Sequence, residues 1–300
     1  MKFDLAHTTV LLLTAFAPLV ALILAVQIER RRRKQIEKPP QAEKLLRPPG
    51  NTLAIRLNDT LDSGLQYLLF ACGSTMLAGI AAADIVPRLR AKPVPVQSLA
   101  VSIGVFAVSF GMGIFFLLRA LQRWQVAGDL RLGLRGEQAV AEALNEVAEC
   151  GYRSFHDLPG GVDWNIDHVT VGARGVFLIE TKARRKRRTR DGQMGYRATY
   201  DGEKLHFPSG TDANAVPQAL RNAKWLSDYL GKKTGEPVEV KPLVVLPGWY
   251  VDYAKGNFRV EVMNAKYLVG FLRGQPERVA IPQVKRISAA LDEKCRDVEF

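Results

Sequence analysis

The sequence predicts an α/β domain on a mixed sheet, residues 129–300, behind an all-helical membrane region of three spans, residues 1–128. Three observations predict it. Long apolar runs end by Leu118. The stretch DWNIDHVTVGARGVFLIETK, Asp163 to Lys182, reads as two strands around a tight turn. After it, strand-like and helix-like patterns alternate. A length of 300 residues holds two such parts. Residues 1–128 carry 15 Lys+Arg against 7 Asp+Glu and the remainder 27 against 23, so most of the net charge of +12 lies in the apolar half. There it speaks of membrane topology rather than of nucleic acid.

Residues 8–28 are apolar and long enough to cross a bilayer. The charge cluster Glu29-Arg30-Arg31-Arg32-Arg33-Lys34 follows the run, the reverse of a cleavable signal peptide, so the run reads as an uncleaved anchor. Residues 37–62 contain two Pro-Pro pairs and Gly50-Asn51 and read as a linker. Within it Leu53, Ile55 and Leu57 alternate with polar or small residues, as a short strand or an interfacial segment does. Residues 65–86 and 99–118 are two further spans, rich in the small residues of packed membrane helices. Asp84, near the end of its span, reads as a headgroup-level residue. Nine basic residues lie between Arg30 and Arg56 and three between Pro87 and Gln97. The asymmetry places residues 29–62 and the whole C-terminal domain in the cytoplasm and the N-terminus outside, as in a protein of a bacterial inner membrane.

Arg119 to Leu130 leaves the membrane as helix or linker. Leu134 to Cys150 has helical spacing and is stopped by Gly151, with Glu137 in its first turn. An acid there can simply complement the helix dipole. Tyr152 to His156 reads as a strand and Leu158 to Gly161 as a turn. Met194–Tyr200 and Glu203–Phe207 form a second hairpin through Asp201-Gly202. Asn214 is placed to cap a helix running to Leu230 and closed by Gly231, with Pro217 and Gln218 in its first turn. Val238–Leu246 and Phe258–Met263 read as strands, and Lys266–Arg273 and Val284–Cys295 as short amphipathic helices. The odd cysteine count, three, without a C-x-x-C spacing, indicates neither a disulfide framework nor a zinc site. No Ser/His/Asp order, phosphate-binding Gly-Lys loop or dinucleotide fingerprint is present.

In the central hairpin, a two-residue turn at Ala173-Arg174 sets Gly172 opposite Gly175, and facing positions then sum to 347. Asp167 faces Glu180 on that register, and Lys182 shares their side of the sheet. A bulge at Gly175 would shift it by one residue. Facing carboxylates repel. A hard cation relieves that repulsion, and one or two carboxylates with water and substrate phosphate suit Mg²⁺ or Mn²⁺. The bland alternative is a surface Glu-x-Lys ion pair. The run Gly-Val-Phe-Leu-Ile before Glu180 has the composition of a central strand, which argues against it. Arg184, Arg185, Lys186, Arg187, Arg188 and Arg190 follow directly. Such a run can touch phosphates flanking a bound nucleic-acid strand, or anionic lipid.

Gly136-Glu137, Asp167-His168-Val169, Gly175 to Lys182 and Pro217-Gln218 occur in that order. With them the stretch of about residues 130–250 resembles the PD-(D/E)xK nuclease core, and more closely the nuclease-related domain (NERD) family. The resemblance implies a PD-(D/E)xK nuclease-like mixed sheet flanked by helices. It implies Asp167, Glu180 and Glu137 as metal-site residues for Mg²⁺ or Mn²⁺, Lys182 on the reacting phosphate or water, and Gln218 positioning either. The expected activity is metal-dependent hydrolysis of DNA or RNA by a membrane-anchored enzyme, with nucleic acid and the lipid bilayer as partners. The alternative is a catalytically silent module of the same fold that binds nucleic acid or protein.

Overall fold

The computed structural model describes residues 28, 44–91, 93, 96–161, 164–188, 195–254 and 258–298. The predicted span 8–28, apart from Ile28, lies outside them, as do Asp163 and Arg190. The elements, in chain order, are β1 (Leu45–Leu46), α1 (Asn51–Arg90), α2 (Val96–Glu146), β2 (Arg153–Pro159), β3 (Asn165–Gly172), β4 (Gly175–Thr181), β5 (Arg197–Tyr200), β6 (Leu205–Phe207), β7 (Gly210–Asp212), α3 (Ala215–Thr234), β8 (Val240–Val245), β9 (Tyr250–Tyr253), β10 (Glu261–Met263), α4 (Ala265–Arg273), α5 (Ile281–Cys295) and β11 (Arg296–Val298). The chain divides into two compact units. One is Met1–Pro40 with Leu57–Gly128, and the other is Gln41–Arg56 with Asp129–Phe300.

Within the first unit α1 and α2 pack through aromatic contacts. Phe116 lies 5.3 Å from Phe70 and 6.2 Å from Tyr67, centroid to centroid. Asp84 accepts hydrogen bonds from Arg88 and Ser102, each at 2.6 Å, so the one acid of this span is satisfied by neighbours. Large apolar side chains such as Val101, Val108, Phe110 and Leu118 point outward. Both helices are long and apolar enough to cross a membrane, by length and composition. They are the two such helices among the described residues. Each outruns the apolar stretch that marked it. Residues 51–64 and 119–146 continue as helix because no Gly-Pro break intervenes; apolarity sets what a bilayer accepts and not where a helix ends. Leu53, Ile55 and Leu57 are accordingly helical and not a strand.

The second unit is three-layered. Its main sheet has the order β10-β8-β4-β3-β2, with β10-β8 and β8-β4 parallel and the rest antiparallel, a mixed sheet as expected. Period-2 alternation splits β4 between two cores. Val176 and Leu178 pack with Phe155, Val169, Leu226 of α3 and Leu291 of α5. Phe177 and Ile179 pack with Val140 and Leu144 of α2 and Leu268 of α4. Deleting one such fully buried Leu typically costs 2–5 kcal/mol. A second sheet, β7-β6-β5-β9, turns Ala198, Tyr200, Leu205 and Phe207 into the first of these cores.

The turn at Ala173-Arg174 forms as read. Gly172 pairs with Gly175 and the ladder runs unshifted to His168–Ile179, although Gly175 adopts φ +142°. Two helix ends differ from the sequence reading. α3 runs past Gly231 to Thr234 and is closed by Gly235 in the left-handed region. Its N-terminus is capped by Asp212, whose Oδ1 accepts from the amides of Asn214 and Ala215 at 2.9 and 3.0 Å, while the Asn214 side chain caps nothing. The strand β2 continues through Pro159, where a turn was expected.

Candidate active site

β3 and β4 carry Asp167 and Glu180 at adjacent positions beyond the last His168–Ile179 pair, on the face that packs against α3. Asp167 Oδ2 accepts from the Thr181 amide at 2.7 Å. Lys182 Nζ lies 2.9 Å from Glu180 Oε1 and donates to Gln218 Oε1 at 3.1 Å. Gln218 comes from the first turn of α3, so the tip of that helix reaches the same ammonium. Glu137 arrives from α2. A Cβ on Gly136 would lie 2.6 Å from Ala183 Cβ, so glycine lets the helix close onto the chain just past β4. Glu137 therefore lies in the body of a long helix, which removes the reading of it as a first-turn dipole acid. The structure thus gathers Glu137, Asp167, Glu180, Lys182 and Gln218 around the carboxyl end of β4.

The three acids are buried, with 5, 9 and 2 % of Glu137, Asp167 and Glu180 exposed. Burial, then the charges of Asp157 and Glu180, push the Glu137 carboxyl up to about 8, against the Gly50 amide and Lys182. Burial, then Glu180 and Glu137, hold Asp167 well above the ordinary carboxylate range. Burial also raises Glu180, opposed by Lys182. Burial alone would lower the Lys182 ammonium, but Glu180, Asp167 and Asp212 carry it above its usual value. The site is two positive charges short of neutrality when all three acids ionise around one lysine. Glu137 Oε2 and Glu180 Oε2 are buried and have no hydrogen-bond partner. Orphaned carboxylate oxygens of this kind are the donor type that hard divalent cations take. Among the described residues no group of three or more His, Cys, Asp and Glu side chains is set to hold a metal ion.

The basic run splits into two classes. Arg184 is partly buried, pairs with Asp212 at 2.9 Å and lies over Phe207, so it ties the loop to the second sheet. Arg185 reaches Asp129 at 3.1 Å. Lys186, Arg187 and Arg188 are exposed. An open cleft of about 480 Å³ leads from Lys182 past Arg184, Arg185 and Arg187 to Asp212.

Sequence reasoning missed the strap Lys44–Arg56, read as linker. Leu45 and Leu46 pair with β11, and Gly50, at φ +72°, sits against Glu137, where its amide favours the carboxylate. A Cβ on Gly50 would sit 2.4 Å from Leu134 Cδ1, so the close approach needs glycine. Asp157 anchors the strap. It is fully buried at φ +50° and accepts from Arg47 Nη1 (2.8 Å), Thr52 Oγ1 (2.8 Å) and Asn165 Nδ2 (2.6 Å). The one signal available was the Pro-Pro-Gly-Asn run, which marks a left-handed turn before a helix as well as it marks a linker. His168 is buried and turned from Asp167; its Nδ1 lies 2.9 Å from that of His156.

No curated protein and no solved structure is found to match the chain. Residues 132–247, the stretch that holds Glu137, Asp167, Glu180, Lys182 and Gln218, match the family model NERD, the nuclease-related domain.

Proposed function

We propose that the protein is a membrane-anchored nuclease that hydrolyses phosphodiester bonds in DNA or RNA with Mg²⁺ or Mn²⁺. The observation that carries this is the burial of three acids around one lysine, with two carboxylate oxygens left without partners. A structural charge cluster has no use for such an arrangement, whereas a site completed by a divalent cation does. Asp167 and Glu180 hold the ion, with Glu137 a further ligand directly or through water. The chemistry such an ion supplies when bound is polarisation of the scissile phosphate and activation of a water. Lys182, fixed by Glu180 and Gln218, stabilises charge developing on the phosphate oxygens. Gln218 orients lysine and water together. Where Glu137 does not ligate the ion, it is the general base for the attacking water. The match to the nuclease-related domain supports the same reading.

The test is incubation of the purified full chain with DNA and RNA in Mg²⁺, Mn²⁺ or EDTA. Cleavage is expected with metal and not with EDTA. Lys182→Ala is expected to lower turnover by roughly 10²-fold or more while nucleic-acid binding persists. Binding without any metal-dependent cleavage would assign the fold to a silent binding module.

The bilayer anchor and the cytoplasmic placement of the second unit rest on the two apolar helices and the charge asymmetry around them. A reporter fused after Phe300 is expected to be active only as a cytoplasmic type. Activity of an exported reporter there overturns the topology.

A further inference from the structure

Next to the site lies an exposed aromatic and cationic surface that the proposed chemistry does not use. Arg197 of β5 faces Tyr250 of β9 across a parallel ladder. Its guanidinium sits 4.9 Å from the Tyr250 ring centroid and 5.7 Å from that of Tyr196. Tyr196 and Tyr250 are 51 and 46 % exposed, and the Tyr250 amide donates to the Tyr196 carbonyl at 2.8 Å, which holds the two residues side by side. Both carboxylate oxygens of Asp252 accept from Arg197 Nη1, at 3.1 and 3.2 Å, and tether the guanidinium. The core does not account for these rings: the opposite face of β5, Ala198 and Tyr200, is the one that fills it.

The surface is continuous with the candidate site. The cleft that begins at Lys182 reaches Arg187. The Arg187 carbonyl accepts from the Gly195 amide at 3.0 Å, and Tyr196 comes next in the chain. Exposed cations at Lys186, Arg187 and Arg188 therefore lead from the reacting end to the two rings. A polyanion matches that charge. A duplex buries its base faces in its own stack, whereas an unpaired strand offers them to aromatic side chains. We propose that Tyr196, Arg197 and Tyr250 form a stacking subsite for unpaired bases of a single-stranded nucleic acid whose backbone follows Lys186–Arg188. The inference rests on the nucleic-acid reading of the Lys182 site and names its substrate class.

The test is fluorescence anisotropy on the full chain in EDTA. The probes are a labelled single strand of about 12 nucleotides, an abasic strand of equal length, a duplex, and phosphatidylserine vesicles. Tyr250→Ala is expected to weaken single-strand binding about 5- to 100-fold, and Tyr250→Phe, which keeps the ring, to leave it unchanged. The abasic strand should bind the wild type at least as weakly as the intact strand binds Tyr250→Ala. Equal single-strand affinity of the wild type and Tyr250→Ala overturns the proposal, as does equal wild-type affinity for the intact and abasic strands. A Tyr250→Ala defect confined to vesicles also overturns it and assigns the surface to lipid. Since EDTA removes metal-dependent cleavage, a chain that stacks bases but never cuts keeps this subsite and refutes the nuclease. A chain that cuts but is indifferent to Tyr250→Ala does the reverse.

Discussion

Arg47→Ala is expected to destabilise the second unit by about 3 kcal/mol. Arg47 holds Asp157 at 2.8 Å and Asp297 at 2.7 Å with different faces of one guanidinium. Removing it leaves the Asp157 carboxylate, which is fully buried, with Thr52 and Asn165 as neutral donors only. Breaking a buried pair from one side costs about 3–5 kcal/mol, and the low end applies because Arg47 is partly exposed. The double variant Arg47→Ala, Asp157→Asn removes the stranded charge and should recover part of the loss. Denaturant midpoints read by tryptophan fluorescence check both. If the midpoint of Arg47→Ala equals that of the wild type, the strap is not part of the folded unit. The same reasoning says that a fragment beginning at Asp129 lacks Arg47, Thr52 and the Gly50 amide together. Residues 41–56 must accompany it for Glu137 to be held as it is here.

The second large effect concerns charge. Glu137→Gln should make the metal-free protein more stable than the wild type at pH 8 and change it little at pH 5. The Glu137 carboxyl is pushed from an ordinary 4.5 to about 8 by folding. Between those values the unfolded chain has released a proton that the folded chain keeps, so wild-type stability falls as pH rises through the window. The accumulated penalty at pH 8 is on the order of a few kcal/mol, or roughly 5–10 °C in Tm for a unit of this size. Gln matches Glu in size and has no charge to neutralise. Saturating Mg²⁺ or Mn²⁺ should restore the wild type, by about 2.7 kcal/mol at 100 times the Kd, and help the variant less. Thermal melts at the two pH values, with and without metal, measure this. Parallel pH profiles for the two proteins would show that Glu137 ionises freely and would remove the electrostatic basis of the site. Stability gained with activity lost is the pattern expected of a group kept for function.

Much of this was legible because it depends on local pattern. Gly172 and Gly175 fix a two-residue turn, and the turn alone places Asp167 beside Glu180. Asp201-Gly202 likewise placed β5 against β6, which pair at Thr199–His206 and Tyr200–Leu205. What stayed hidden depends on distant chemistry. Asp157 reads as an ordinary polar residue before Leu-Pro-Gly-Gly, and only the fold brings Arg47 to it across 110 residues. Arg184 looked like any member of a basic run, and its pairing with Asp212 and Phe207 withdraws it from the solvent-facing set. Asn214 and Gly231 were sensible capping residues. Asp212 outcompeted the first by reaching two amides, and the helix ran through the second because the next left-handed glycine, Gly235, closes it better. The length of α2 was not readable from hydropathy, since its polar half and its apolar half belong to one uninterrupted helix.

The pairing of β1 with β11 also sets a clock on synthesis. Leu46 and Arg296 are neighbours in space but 250 positions apart in the chain, as are Arg47 and Asp297. At about 5–20 residues per second a ribosome needs roughly 12–50 s to pass from one to the other. Throughout that interval both apolar helices and the whole mixed sheet emerge while the strap still lacks its second anchor. Gly50 then reaches Glu137 with one tether in place of two. The strap beside the Glu137 cluster thus stays half-anchored until residue 297 has been made.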